Sequence, residues 1–364
     1  MRIPAVAGGR PVFDEFLTFG VPQIEEEEID EMVKTLRSKW IGLGGKTAQF
    51  EREFSAYVQC DEMIALNSCT AGLHIALKLL NLPAGSEVLV PSMTFCSTAN
   101  VAELCDYRVT FMDCDPKTRC VGVKEIEARL SASTRAVIVV HFAGYPCDLV
   151  KINDFCSSRN LPVIEDCAHA VETRSGGKHV GTENYAAVYS FYANKNMTTG
   201  EGGMLYIQNP EKRCLARQLS LHGMSRTAWK RYNDKGHHHY DVIHPGFKYN
   251  MTDMQASLGI HQLRRIPENA RKRKKIWRLY NDGLQSLPLS LPADPQNEED
   301  IHAYHLYAPL LKTDAVKISR DELLNALIEE NIGIGVHYNA LHNSEYYSHK
   351  YGLTEDFCPN ANDI

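Results

Sequence analysis

Paired cysteines are missing from this sequence. Eleven cysteines are scattered at positions 60, 69, 96, 105, 114, 120, 147, 156, 167, 214 and 358, and no CxxC pair occurs. Zinc-ribbon and thioredoxin readings therefore lack support. The odd count and the apolar surroundings favour reduced thiols packed as small hydrophobes over disulfides. No apolar run approaches the length of a membrane span. Met1-Arg2-Ile3-Pro4 lacks the apolar core of a signal peptide, so a cytoplasmic protein is expected. An excess of positive charge is missing too. The 39 Lys and Arg residues stand against 45 Asp and Glu, a net charge of -6, which argues against a nucleic-acid coat or a polybasic membrane binder. No internal repeat or low-complexity segment interrupts the chain.

What is present is the composition of an ordinary globular protein. The chain has 364 residues, 44% apolar and 23% charged, enough for about two domains. Residues 24–39 and 48–58 read as amphipathic helices. Short apolar runs at 63–66, 87–90, 109–113, 136–141 and 162–165 then alternate with helical patterns at 70–80, 97–104, 123–130 and 149–159. Val137-Ile138-Val139-Val140 has no polar face, as expected of a strand covered on both sides. Further strands are expected at 187–192 and 204–207. The alternation implies an α/β fold with a mostly parallel central sheet flanked by helices. The texture changes near residue 270: a basic helix over 271–284, a Pro-rich bend, a strand near 304–311 and a helix over 320–330. This predicts a large domain over 1–265 and a smaller C-terminal α+β domain over 266–364.

Ligands of open α/β sheets sit beyond the carboxyl ends of the strands, and four features fall there. Asn67-Ser68-Cys69-Thr70-Ala71-Gly72-Leu73 runs from a strand into a helix and offers free backbone N–H groups to a phosphate, although capping alone also explains it. Asp166 ends an apolar strand, where a carboxylate could cap a helix or hold a heterocyclic nitrogen protonated. Lys195 follows the run Tyr189-Ser190-Phe191-Tyr192-Ala193-Asn194. A lysine beside a buried strand end is a candidate Schiff-base amine. Phe95 follows a further strand, in Pro91-Ser92-Met93-Thr94-Phe95. Together these match one cofactor: pyridoxal phosphate (PLP) needs an aldehyde-trapping lysine, a carboxylate on its pyridine nitrogen, a phosphate cup and a flat group on its ring.

Those residues, with Phe50-Glu51, Glu201-Gly202-Gly203, His222 to Arg226 and Met251 to Ala256, give the sequence a resemblance to the PLP-dependent sugar-nucleotide aminotransferases of the DegT/StrS type. It covers nearly the whole chain. Pro245 to Asn250, Gly335-Val336-His337-Tyr338, His342 and Tyr346-Tyr347 resemble the branch that forms UDP-4-amino-4-deoxy-L-arabinose. The resemblance implies a fold-type-I PLP-dependent transferase that moves the amino group of L-glutamate to a nucleotide-linked 4-keto sugar and releases 2-oxoglutarate. Relatives serve surface polysaccharides, lipopolysaccharide among them, or antibiotic biosynthesis.

The same resemblance assigns roles. Lys195 would hold the cofactor and shuttle the proton, Asp166 would meet the pyridine nitrogen, and His169 would lie near the ring oxygen. Ser190, Cys69 and Thr70 would hold the phosphate, Phe95 would stack on the ring, and His337 would lie near the sugar. Lys248, Asn250 or both would reach a neighbouring subunit's phosphate, which implies a homodimer. Cys69 departs from the glycine common in this cup. Relatives also continue past a segment like Pro359-Asn360-Ala361, so a small domain that ends early is expected. A PLP-dependent sugar dehydratase and a PLP-binding regulatory homologue stay open as alternatives. No metal is expected. His237-His238-His239 reads as a polar loop, and Arg271 to Lys275 as a solvated helix face.

Overall fold

The computed structural model describes residues 2–225 and 241–364. His237-His238-His239 lies outside the described residues. Seven strands form the central sheet: β1 (Ile64–Leu66), β2 (Glu87–Pro91), β3 (Arg108–Met112), β4 (Thr134–Val140), β5 (Val163–Asp166), β8 (Ala186–Ser190) and β9 (Gly203–Ile207). Two short pairs, β6 (Arg174–Ser175) with β7 (Lys178–His179) and β10 (Leu289–Ser290) with β11 (Leu310–Leu311), stand outside it. The order across the sheet is β1-β9-β8-β5-β4-β2-β3. The ladders from β8 through β5, β4 and β2 to β3 are parallel, and β9 is antiparallel to both β8 and β1. This is the expected mostly parallel sheet flanked by helices, with an antiparallel edge.

The parallel part follows from the expected pattern. Ala136 to Val140, Val163 to Asp166 and Ala186 to Ser190 are buried throughout, and helices α3 (Cys69–Lys78), α4 (Cys96–Glu103), α5 (Val123–Arg129) and α6 (Leu149–Ser157) supply the connections. The register aligns Val140, Asp166 and Val188 across three adjacent strands. Asp166 therefore ends its strand level with the end of β4, while β8 runs two residues further to Ser190.

On the β9 side, α1 (Glu26–Ser38) and α2 (Gly45–Val58) pack with the long α8 (Asp253–Leu284). Phe50 and Phe54 of α2 fill the space beneath the sheet, with ring centroids 5.2 Å from Phe191 and 5.1 Å from Tyr189 respectively. Helix α8 starts at a capping box in which Thr252 accepts from the Gln255 N–H and Gln255 reaches back to the Thr252 N–H. It continues through Pro267. The helix expected over 271–284 is thus only its second half.

The strand expected near 304–311 is corrected as well. Only Leu310 and Leu311 pair in a ladder. The backbone before them is satisfied by a turn of the large sheet, with Ala303 N–H donating to Gly144 O and His305 N–H to Ala143 O, both at 3.0 Å. Side chains there pack on Trp277 instead, with His302 at 4.8 Å and Tyr304 at 5.1 Å between ring centroids. Residues 341–364 fold back on the β3 edge: Tyr347 meets Phe111 edge-on at 5.1 Å, and Asp113 accepts from the N–H groups of Asn360 and Ala361.

One glycine governs how closely the sheet approaches the start of α3. A Cβ at Gly203 would lie 2.6 Å from Ser68 C and 2.7 Å from Cys69 N, both backbone atoms. Gly203→Ala should therefore push the Ser68–Cys69 turn off the sheet. The expected result is a lower melting temperature together with weaker binding of a phosphate-bearing ligand. Thermal melts with and without PLP check it.

Candidate active site

Sheet and helix starts bring the expected residues to one end of the parallel strands. Ser68 caps α3, its hydroxyl accepting from the Ala71 N–H at 3.1 Å. The N–H groups of Cys69 and Thr70 open the helix and have no intrahelical acceptor, so they are available to an anion. The Cys69 side chain itself is buried and points away, its thiol 3.8 Å from Val188 O. Burial pushes that thiol well above its ordinary value. Cys69 can thus offer its backbone N–H but not a thiolate. Ser190, paired with Gly203 across the ladder, accepts from the Tyr192 N–H at 3.3 Å, which leaves its hydroxyl proton to donate.

Asp166 is 4% exposed. Its Oδ1 accepts from the Ala168 N–H at 3.0 Å and its Oδ2 from the Thr98 hydroxyl at 2.8 Å. Burial raises its carboxyl above the ordinary value, against the opposing pull of those two donors, Lys195 and His141. Lys195 sits half-buried in the turn after β8. Burial lowers its ammonium below the usual lysine range, while Asp166 and then Cys69 act in the opposite sense. A lysine so placed keeps a larger neutral fraction, the form that attacks a carbonyl. Phe95 is 56% exposed at the start of α4, so its ring is open to a flat partner.

His169 is buried and its tautomer is set by its neighbours. Nδ1 accepts from the Ala143 N–H at 3.2 Å. Burial, then the charges of Lys195, His305 and His337, hold the ring neutral by lowering its value well below the ordinary one. Nε2 therefore carries the proton and donates to the Tyr338 hydroxyl at 3.1 Å. His305 packs against His169 with the rings tilted by 35° and 4.4 Å between centroids. Asn196 donates to Glu172 Oε2 at 2.8 Å and to Ala303 O at 3.1 Å. Its oxygen must then accept from His305 Nδ1–H at 2.8 Å. Glu172 in turn pairs with Arg273 of α8. The residue next to Lys195 is thus tied to the C-terminal third of the chain. His337 lies beside Phe19, 5.5 Å between ring centroids, and within electrostatic reach of Lys195.

The segment Lys248 to Asn250 pairs through its backbone with Leu66 and Asn67, just before Ser68, while the side chains of Lys248 and Asn250 contact each other. Lys248 Nζ donates to Asn250 Oδ1 at 2.6 Å, and Asn250 Nδ2 donates to Met251 O. Lys248 is exposed and Asn250 buried. A cavity of about 1020 Å³ also opens between α1, α2 and α7 (Pro210–Leu219). None of the expected site residues lines it, and its Arg217 is already held by Glu51 and Glu62. His141, Glu165 and Cys167 cluster within metal-ligand reach of one another. Hydrogen bonds account for two of the three: His141 Nε2 meets Glu165 Oε2 at 3.0 Å, His141 Nδ1 accepts from the Cys147 N–H, and Glu165 also accepts from Gly181 and Asn184, while burial keeps the Cys167 thiol protonated. The group reads as a buried polar network behind Asp166.

Residues 22–364 match the DegT/DnrJ/EryC1/StrS aminotransferase family. The chain belongs to that family. Among its relatives, the spore coat polysaccharide biosynthesis protein SpsC of Bacillus subtilis is 40% identical over 349 residues, 96% of this chain and 90% of that protein. The uncharacterized protein MJ1066 of Methanocaldococcus jannaschii is 42% identical over the same shares. The putative sugar aminotransferase Spr1654 of Streptococcus pneumoniae, solved in PMP and PLP forms, superposes with a TM-score of 0.86 at 30% identity. The PMP form covers 95% of this chain and 89% of that one. This DegT-type chain is accordingly a PLP-dependent aminotransferase with the type I fold.

The residues present fit that cofactor: helix-start N–H groups and a serine hydroxyl for a phosphate, an exposed aromatic face, a buried carboxylate with directed lone pairs, and a lysine of lowered basicity. Nothing local in the sequence marks Thr98, Asn196, His305 or Phe19 as turned toward the site, although Asn196 ends the run from Ser190 and Thr98 follows Phe95 by three residues.

Several buried imidazoles, in the site and away from it, resist protonation. Burial pushes His302 down to about 3 and His179 to about 4, and places His169 and His305 well below the ordinary 6.5. A histidine depressed by folding contributes stability above its unfolded value and loses it as pH falls toward the folded one. Melting temperature should therefore drop as pH falls from about 6.5 toward 4. His302→Gln should flatten that slope, as differential scanning fluorimetry across pH would show.

Proposed function

We propose that this aminotransferase transfers the amino group of L-glutamate to the keto group of a nucleotide-linked 4-keto sugar, giving a 4-amino-4-deoxy sugar nucleotide and 2-oxoglutarate. The observation that carries the reading is that Lys195 lies within electrostatic reach of the buried Asp166, which ends a parallel strand. PLP bound there would supply a carbonyl for amines and a ring that accepts an electron pair.

The chain's own residues do the rest. Asp166 holds the pyridine nitrogen protonated, and Ser190 with the Cys69 and Thr70 N–H groups holds the phosphate. Phe95 covers one ring face. His169 would lie near the cofactor's ring oxygen while donating to Tyr338, whose ring neighbours that of Phe95, and His337 would lie near the sugar. Lys195 Nζ would hold the cofactor and, once released, would serve as the proton carrier of the amino-group exchange. Both half-reactions share these residues, so ping-pong kinetics follow. A homodimer in which Lys248 or Asn250 reaches the partner's phosphate, a cytoplasmic location, and a division near residue 265 belong to the same proposal. Assignment to the amino-arabinose branch rests on residues 245–250 and 335–338 with His342 and Tyr346-Tyr347.

A panel of keto-sugar nucleotides with L-glutamate, read by 2-oxoglutarate release and by mass spectrometry of the sugar, tests the reading. A product that gains an amine supports it. A product that only loses oxygen, or no turnover with any 4-keto sugar, overturns it.

A further inference from the structure

Asp166 is held by a relay that starts outside its own strand. Thr98, fully buried in the first turns of α4, places its hydroxyl 2.8 Å from Asp166 Oδ2, and Thr94, 1% exposed, places its own hydroxyl 2.8 Å from that of Thr98. An ionised carboxylate can only accept. Thr98 must therefore spend its single proton on Asp166, and Thr94 must donate to Thr98. Both hydroxyl dipoles then point at the carboxylate, and such chains reinforce one another at low dielectric.

Ordinary duties of threonine do not explain the arrangement. A threonine in a helix commonly bonds back to the carbonyl one turn earlier, but the Thr98 hydroxyl goes to another element, 68 residues along the chain. The start of α4 is not capped by a side chain. The two threonines also flank Phe95, so one turn carries both the open aromatic face and the support of the carboxylate. That turn is itself fixed from the far end of the chain, where Ser92 Oγ meets His342 Nδ1 at 2.6 Å and Ser92 O accepts from the Leu341 N–H.

With Ala168 N–H on Oδ1 and Thr98 on Oδ2, each oxygen keeps a lone pair in a defined direction. We propose that Thr98, backed by Thr94, is a positioning residue that orients Asp166 and keeps it ionised for the pyridine nitrogen of bound PLP. The proposal rests on the reading of Asp166 as that nitrogen's partner. The Thr98 donor opposes the effect of burial on Asp166, in keeping with this geometry.

The test uses the full chain reconstituted with PLP labelled with nitrogen-15 in its ring, and reads the ring-nitrogen chemical shift, the PLP dissociation constant and the rate of the half-reaction with L-glutamate. Thr98→Val removes the donor at nearly constant volume. It should move the nitrogen signal toward its unprotonated position and slow the half-reaction about tenfold, the order expected for a hydrogen bond to a charged group. Thr98→Ser should restore both. Thr94→Val should give a smaller shift of the same sign, and it serves as the variant if Thr98→Val does not fold. Asp166→Asn separates the two readings. If it shifts the nitrogen signal and Thr98→Val and Thr94→Val do not, the relay is overturned while the Asp166 reading stands. If Asp166→Asn leaves the signal unchanged, both are overturned. Equal loss in Thr98→Val and Thr98→Ser would mark a packing role and would also overturn the proposal.

Discussion

Lys195→Ala should yield a folded protein that takes up PLP without the visible absorption of a lysine-bound cofactor and that shows no measurable half-reaction with L-glutamate. Among the described residues Lys195 Nζ has no hydrogen-bond or ion-pair partner, and burial disfavours its charge more than Asp166 favours it. Removing it leaves no partner unsatisfied, so the melting temperature without cofactor should equal or exceed that of the parent. Losing the covalent link and the proton carrier together should be far more damaging to turnover. A positioned acid–base group alone contributes roughly 10²–10⁴-fold, and the nucleophile's contribution adds to it. Borohydride treatment followed by mass spectrometry should place the cofactor on the peptide that contains residue 195 in the parent and on no peptide in the variant. A variant that keeps the band and the half-reaction would remove Lys195 from the mechanism.

The parts of this site legible from sequence share one property: their position relative to a strand end is a local fact. Asp166 and Lys195 each close an apolar run, and Ser68 to Leu73 leaves a strand to begin a helix. Those patterns need no knowledge of the partner. Thr98 could not be found this way, because its meaning lies in an oxygen brought to it by the sheet register. The same holds for His305, whose proton is directed by Asn196, and for Asn196, whose amide is oriented by Glu172 and Ala303 O. In the fold, the buried parallel strands announced themselves as unbroken apolar runs. Helix α8 did not, because Pro267 reads as a breaker, although the Thr252–Gln255 capping box marks its true start. The strand expected near 304–311 failed because its aromatic residues belong to a cluster on Trp277 rather than to a ladder. Periodicity reports which residues are buried, and only tertiary contact decides whether their backbone pairs with a strand or a turn.

Asp166→Asn should split stability from function in opposite directions. An opposite charge close to a titrating nitrogen favours its protonated form by about one to three pKa units, at about 1.4 kcal/mol each. Losing that charge should slow the half-reaction by roughly 10- to 10³-fold and shift the ring nitrogen of bound PLP toward its unprotonated state. Without cofactor the sign reverses. Burial raises the Asp166 carboxyl above its ordinary value, so the folded protein binds this proton more tightly than the unfolded chain. The stability tied to this site is full below the unfolded value and is lost as pH rises through the folded one. At neutral pH the buried carboxylate is therefore a burden on the cofactor-free protein, and a neutral amide relieves it. The asparagine can also be satisfied in place. Its oxygen accepts from the Ala168 N–H, its Nδ2 donates to Thr98, and Thr98 then turns its own proton to Thr94, reversing the relay. Melting temperatures of the cofactor-free proteins across pH 4 to 8 should show the variant gaining on the parent as pH rises. PLP should narrow or invert the gap at neutral pH, because it binds the folded parent more tightly. A parent that is the more stable protein without cofactor at every pH would mean that Asp166 serves the fold rather than the pyridine nitrogen.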